Sequence, residues 1–217
     1  MERSSHDHRH RRPALRKGTV AKHIAIHYGL RHLDTGALYR AVARDTLAQG
    51  GDLTDAAAAA RAASRLDVAT LADPALRTAA VGEAASQVAR HPEVRAVLLD
   101  YQRTFAQAGP GAVIDGRDIG TVIWPNADVK LFVTASPEVR ARRRFLELTQ
   151  GGIAITETEV LADIQARDER DRTRGASPLR RAEDAVLLDT TNLDIDAAFR
   201  TALDLIEAAM GDAGRAG

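Results

Sequence analysis

The chain has 217 residues, with 30 basic against 30 acidic side chains, 45% hydrophobic residues and no cysteine. That length fits one well-packed domain with a small appendage, and zero formal charge offers no whole-molecule field for nucleic acid or a membrane surface. Without cysteine there are no disulfides, thiolate nucleophiles or cysteine-based zinc sites, which suits a reducing cytoplasm, and no apolar run approaches the length of about 18 residues needed to span a bilayer.

Residues 1–16 are basic and His-rich without apolar periodicity, and read as a disordered or atypical tail, too polar for a secretory signal. Val20, Ala21, Ile24, Ala25 and Tyr28 keep helical spacing, and Gly29 closes that helix. A brief strand is expected at 30–33, a turn with N-cap chemistry at Asp34, Thr35 and Gly36, and a helix over 38–47 ending before Gly50 and Gly51. Residues 55–99 are Ala-rich and helix-forming, broken at Asp73-Pro74 and His91-Pro92, and form a helical appendage.

The next stretch organises the rest. An apolar run at 112–114, bounded by Gly109, Pro110 and Gly111, ends on Asp115-Gly116-Arg117-Asp118. It reads as an interior strand of a parallel sheet with both faces covered, delivering charged groups at its carboxyl end, where ligands of open α/β sheets sit. Residues 128–133 form a second strand. Ser136, Pro137 and Glu138 then supply N-cap, first position and acidic first turn of a helix carrying Arg140, Arg142, Arg143 and Arg144. Gly151-Gly152 interrupts, and Thr156 opens a long helix through Val160, Leu161 and Ile164. A last strand at 185–188, a loop at 189–192 and a helix at 195–210 complete an α/β chain with a doubly wound parallel sheet.

Arg40, Arg95, Arg117, Arg143, Arg144, Arg167, Arg170 and Arg174 all fall near predicted loops or strand ends. A guanidinium is a fixed fork of donors that stays charged and matches phosphate oxygens two at a time. Convergent arginines suit phosphoryl transfer, where catalysis is mostly positioning and charge neutralisation. The residues alone equally allow an exposed helix over 167–174 laced with ion pairs such as Asp168 with Arg172.

Lys17-Gly18-Thr19, the run at 33–40 around Asp34-Thr35-Gly36, the run at 85–89 around Ser86, Asp115-Gly116-Arg117-Asp118-Ile119-Gly120-Thr121 and the charged run at 167–174 occur here in the order found in bacterial cytidylate kinases. The chain resembles that family from Lys17 to about Ala209. The resemblance implies transfer of the terminal phosphoryl group of ATP to CMP or dCMP with Mg²⁺, in a P-loop kinase fold of strand order 2-3-1-4-5. It implies a core at 17–51 and 110–217, a CMP-binding appendage at 52–109 and a lid at 148–159, in a cytoplasmic monomer. It assigns Thr35, Arg40, Arg117 and Arg174 to the CMP phosphate, and Ser86, Arg95 and Asp118 to the cytosine edge. Arg167 and Asp171 fall to the sugar and donor-phosphate side, and Lys17, Gly18, Thr19, Arg143 and Arg144 to ATP. A base site built from hydrogen-bonding groups rejects a wrong base by leaving its own groups unpaired. No residues are assigned as metal ligands, and nucleic acid and membrane are not expected partners.

The front of the chain departs from the family. A phosphate loop needs G-x-x-x-x-G-K so that backbone N–H groups can close on phosphates, yet the glycine positions before Lys17 hold Arg11 and Arg16, and with a one-residue gap Arg12 still replaces glycine. A wrong gene start, a frameshift or true degeneration each accounts for this, and turnover is expected to be impaired. With no first strand, the strands near 113–115 and 129–133 are expected to flank a groove without pairing. Other readings are a CMP-binding protein without kinase activity, another nucleoside monophosphate kinase, and a nucleic-acid binder acting through its basic tail.

Overall fold

The computed structural model describes residues 17–173, 175 and 178–213, with Lys17 and residues 212 and 213 described by backbone alone. The expectations for residues 1–16, for the Lys17 side chain and for Arg174 therefore lie outside the described residues.

Helix α1 (Lys17–Tyr28) buries Val20, Ala21, Ile24 and Ala25, and ends where Gly29 turns left-handed at φ +65°, a conformation that glycine adopts without a Cβ clash. Strand β1 (Arg31–Asp34) leads directly into α2 (Thr35–Ala48). The turn expected at 34–36 is thus the first turn of a helix. Asp34 occupies the N-cap without a side-chain cap bond, while the Thr35 hydroxyl donates to the Asp115 carbonyl at 3.0 Å, tying the helix start to a neighbouring strand.

The Ala-rich region forms α3 (Ala56–Ser64), two 3₁₀ turns (Val68–Ala72 and Pro74–Arg77), α4 (Ala79–Val88) and α5 (Pro92–Gln107). Each begins where the sequence supplies a cap or a proline: Asp55, Asp67, Asp73 and Thr78 accept backbone N–H bonds, and Pro92 fills the first position of α5. Small side chains let these helices approach closely. Ala59, Ala62, Ala63 and Ala84 join Val88, Val94 and Leu98 in one core with Leu33, Leu38 and Val42 of β1 and α2.

Strands β2 (Ala112–Asp115), β3 (Leu131–Thr134) and β4 (Val186–Asp189) complete four parallel strands among the described residues, β3 and β4 each starting later than expected. They form two separate pairs. β1 runs beside β2 with Asp34 opposite Asp115, and β3 beside β4 with Thr134 opposite Asp189. These pairs correspond to positions 2-3 and 4-5 of the implied order, and β2 and β3 do not pair with each other. A second core of Val20, Ile24, Leu188 and the α8 (Ile195–Ala213) residues Ile195, Ala198, Ala202 and Ile206 carries Val113 from one pair and Leu131 and Val133 from the other.

Both faces of β2 are covered, Ile114 packing against the first core and Val113 against the second, although no residue of the strand is fully buried. Every residue of β2 and β3 is half-exposed, whereas Leu33 of β1 and Leu188 of β4 are 4% and 2% exposed.

Helix α6 (Pro137–Gln150) packs on α7 (Glu157–Thr173) through Ala141, Leu148 and Val160. Thr156 and Glu159 form a capping box at the start of α7: Glu159 N–H donates to Thr156 Oγ1 at 3.2 Å and Thr156 N–H to Glu159 Oε2 at 2.7 Å.

Candidate active site

The site gathers at the carboxyl ends of β1 and β2, between the starts of α1 and α2 and the sides of α5 and α7. Loop 115–124 is fitted tightly there. A Cβ at Gly116 would fall 2.3 Å from Thr35 Oγ1 and 2.6 Å from Ile119 Cδ1, and one at Gly120 would meet Lys130 Cδ at 2.9 Å. Between these glycines the loop sends two charged side chains to different partners. Arg117 pairs through Nε with Asp171 of α7, and Asp118, 5% exposed, pairs with Arg95 of α5. The Arg95 guanidinium also lies over the Tyr39 ring, 5.8 Å from its centroid.

Arg40, Arg117, Arg144, Arg167 and Arg170 are close enough to perturb one another. Burial opposes the charge of Arg117, but Asp171, Asp168 and Asp115 outweigh it and raise its pKa. Arg167 is pushed down to about 10, first by burial and then by Arg117, with Arg40 and Arg170 adding and Asp171 opposing. Burial, then Arg40, also lowers Arg144. The Nε groups of Arg40, Arg167 and Arg170 are buried without a hydrogen-bond partner among the described residues. Buried cationic donors left unsatisfied raise the free energy of the unliganded site and favour an anion that brings several oxygens.

The sign of the Arg167 shift is informative. Its folded pKa, about 10, lies below the ordinary arginine value, so the cost of crowding is fully present below pH 10 and is relieved as pH rises above it. At neutral pH an anion bound among these arginines would relieve it. CMP at a hundredfold excess over its Kd is therefore expected to add about 2.7 kcal/mol and raise the Tm by roughly 5–10 °C. Cytidine, which lacks the phosphate, should raise it by less than about 2 °C at the same concentration. Equal shifts in a thermal melt would separate these arginines from the ligand's phosphate.

The remaining expected residues take varied positions. Thr35 is buried at the α2 start. Gly18 and Thr19 lie in the first turn of α1, and a Cβ on Gly18 would sit 3.6 Å from Asp115 Oδ2. Ser86 stands on α4 with its hydroxyl donating to the Gly82 carbonyl at 3.3 Å. Arg143 is turned to the loop after β4, donating to the Thr190 carbonyl at 2.7 Å and the Leu193 carbonyl at 3.2 Å, and burial lowers its pKa. Arg144 reaches Glu147 at 3.1 Å and the Arg77 carbonyl at 3.1 Å. The ion pair of Asp168 with Arg172 is not the one formed: Asp168 receives both terminal nitrogens of Arg140 from α6, and Arg172 pairs with Glu169 at 3.0 Å. A two-pronged bond to a packed neighbouring helix is better geometry than a single exposed contact along one helix.

Three contributors escaped sequence reasoning. His32 Nε2 lies 2.9 Å from Asp115 Oδ2, fixing that carboxylate beside α1. Tyr39 lies under Arg95, and Glu83 on α4 pairs with Arg170 on α7. His32 stands opposite Val113, two residues before Asp115 on the same face, so only the strand register could have revealed the first contact. Among the described residues no group of three or more His, Asp or Glu side chains is arranged to hold a metal ion, and no helix is long and apolar enough to cross a membrane.

The cytidylate kinase family model matches residues 13–208. A cytidylate kinase of Rhodopseudomonas palustris (strain TIE-1) is 60% identical over 192 residues, covering 88% of this chain and 91% of the relative. A cytidylate kinase of Bradyrhizobium diazoefficiens is 57% identical over 192 residues with the same coverage. With most of its length matched and its arginines converging at the strand ends, the chain belongs to the cytidylate kinase family.

Proposed function

We propose that this protein transfers the γ-phosphoryl group of ATP to the phosphate of CMP or dCMP, giving CDP or dCDP and ADP. The observation that carries the reading is the convergence of Arg117 and Arg167 on Asp171 with Arg40 close enough to act on Arg167, the Nε donors of Arg40 and Arg167 being buried without a hydrogen-bond partner among the described residues. A CMP phosphate oxygen forms the new bond to the γ-phosphorus as the bond to the ADP oxygen breaks. The guanidinium groups hold both reactants and neutralise charge on the transferring group, so no covalent enzyme intermediate is needed.

Thr35, Arg40, Arg117 and Arg174 hold the acceptor phosphate, and Arg95, Asp118 and Ser86 read the base. Arg167 and Asp171 lie between sugar and donor phosphates, and Lys17, Gly18, Thr19, Arg143 and Arg144 serve ATP. Residues 52–109 form the CMP-binding appendage on a core of 17–51 and 110–217, and 148–159 form a lid whose closure excludes water. Mg²⁺ suits the site as an ion carried by the nucleotide: it keeps waters and phosphates as ligands and needs few carboxylates, and Asp115, steadied by His32, is the carboxylate next to α1. Bound there, Mg²⁺ would neutralise donor-phosphate charge. We place the protein in the cytoplasm as a monomer.

A coupled assay of ADP release with ATP, Mg²⁺ and each of CMP, dCMP, UMP and AMP tests the reading. Turnover with CMP and dCMP well above that with UMP and AMP is expected. Equal rates with all four would remove the cytidine assignment.

A further inference from the structure

Helix α5 touches loop 115–124 at two places, and the proposed function uses only one of them. Arg95 in its first turn holds the Asp118 carboxylate. Arg103, eight residues later and thus about 12 Å along the helix, donates from Nε to the Ile123 carbonyl at 3.2 Å and from a terminal nitrogen to the Val122 carbonyl at 3.3 Å. Between these grips the chain forms a single π-helical turn, Ile119–Ile123. The Asp118 carbonyl accepts N–H bonds from Val122 at 2.9 Å and Ile123 at 3.2 Å, and the Ile119 carbonyl accepts from Trp124 at 2.7 Å.

Such a turn is wide and rarely stable by itself, and it recurs at functional sites because it re-aims a side chain. Its last carbonyls have no partners within the turn, and Arg103 supplies them with charged donors. The Asp118 carbonyl and carboxylate belong to one residue, so displacement of Val122 and Ile123 is passed to the orientation of the group that meets Arg95. The loop has little room to adjust elsewhere, since Gly116 is pressed on Thr35 and Gly120 on Lys130.

We propose that Arg103 is a positioning residue for base selectivity, holding the π-helical turn so that the Asp118–Arg95 pair meets the cytosine edge in register. The proposal rests on the reading of Arg95 and Asp118 as base-reading groups. It is tested by calorimetry on the full chain with CMP, UMP and AMP, for the unmodified protein, Arg103→Ala, Arg103→Lys and Arg95→Ala, with a thermal melt of each. Arg103→Ala should lose about three- to tenfold in CMP affinity with little change for UMP and AMP, and Arg103→Lys should regain part of the preference through its retained charge and donors. A merely structural arginine would lower the melting temperature and leave the CMP to UMP ratio alone; an unchanged ratio in Arg103→Ala, with Arg95→Ala reducing it, overturns the role of Arg103. Unchanged ratios in both overturn the base-site reading itself. A ratio narrowed by Arg103→Ala alone would show that the effect does not pass through Arg95 and would also end the proposal.

Discussion

A version of this protein carrying an apolar strand and a glycine-spaced phosphate loop immediately ahead of Lys17 is expected to turn over ATP and CMP at least about a hundredfold faster than the present chain, on the scale of losing one preorganised donor to a transition-state anion. The reasoning combines sequence and structure. Counted back from Lys17, Arg11 and Arg16 stand at the two glycine positions of the family's loop, and an arginine side chain adds charge without letting successive backbone N–H groups converge on one phosphate. The half-exposed β2 and β3 are each paired on one edge only among the described strands. An added strand between them would extend both ladders and seat the loop over the start of α1, where Gly18 lies beside Asp115. A coupled ADP-release assay on the two proteins, at matched concentration and with CMP binding measured alongside, decides the matter. Equal turnover would mean that the residues before Lys17 do not limit the present chain.

Arg95→Ala is expected to weaken CMP binding by about ten- to a hundredfold, the loss of roughly 1.5–3 kcal/mol that follows removal of a charge-assisted bond. The structure adds a second consequence. Asp118 is 5% exposed and Arg95 is a charged partner of it across the loop, so truncation removes countercharge from a buried carboxylate, a change that costs up to about 3–5 kcal/mol where an ion pair is fully buried. The Tm should therefore fall as CMP affinity does. Arg95→Ala combined with Asp118→Asn should recover much of that Tm without recovering CMP affinity, because the buried charge is gone while the base-reading groups are still missing. ATP affinity, measured separately, should be unchanged in both. Unaltered CMP affinity in Arg95→Ala, read by calorimetry, would take these residues out of the base site.

Several elements were legible because one local rule governs each. Gly29 ends α1, Ser136 and Pro137 start α6, and Pro92 starts α5, where capping chemistry and proline geometry place them. The runs at 112–114 and 128–133 also read as strands without reference to the rest of the chain, the second starting three residues early. The Asp34 turn was misread for the opposite reason. Its chemistry is that of a cap, but Thr35 is engaged with the Asp115 carbonyl on another strand, and the helix starts there.

The charged groups divide along the same line. Residue type and order were enough to point to the family and to arginines gathered near the strand ends. Which arginine does what was a matter of three-dimensional competition. Arg143 is drawn to the carbonyls of Thr190 and Leu193, Arg140 rather than Arg172 takes Asp168, and burial followed by the charge of Arg117 lowers the pKa of Arg167, whereas Asp171 lying against Arg117 helps to raise that of Arg117 despite its burial. Periodicity and capping depend on neighbours within a few residues and are therefore written in the chain. Ion-pair choice, strand burial and the π-helical turn depend on which distant segments arrive side by side, and packing alone decided them.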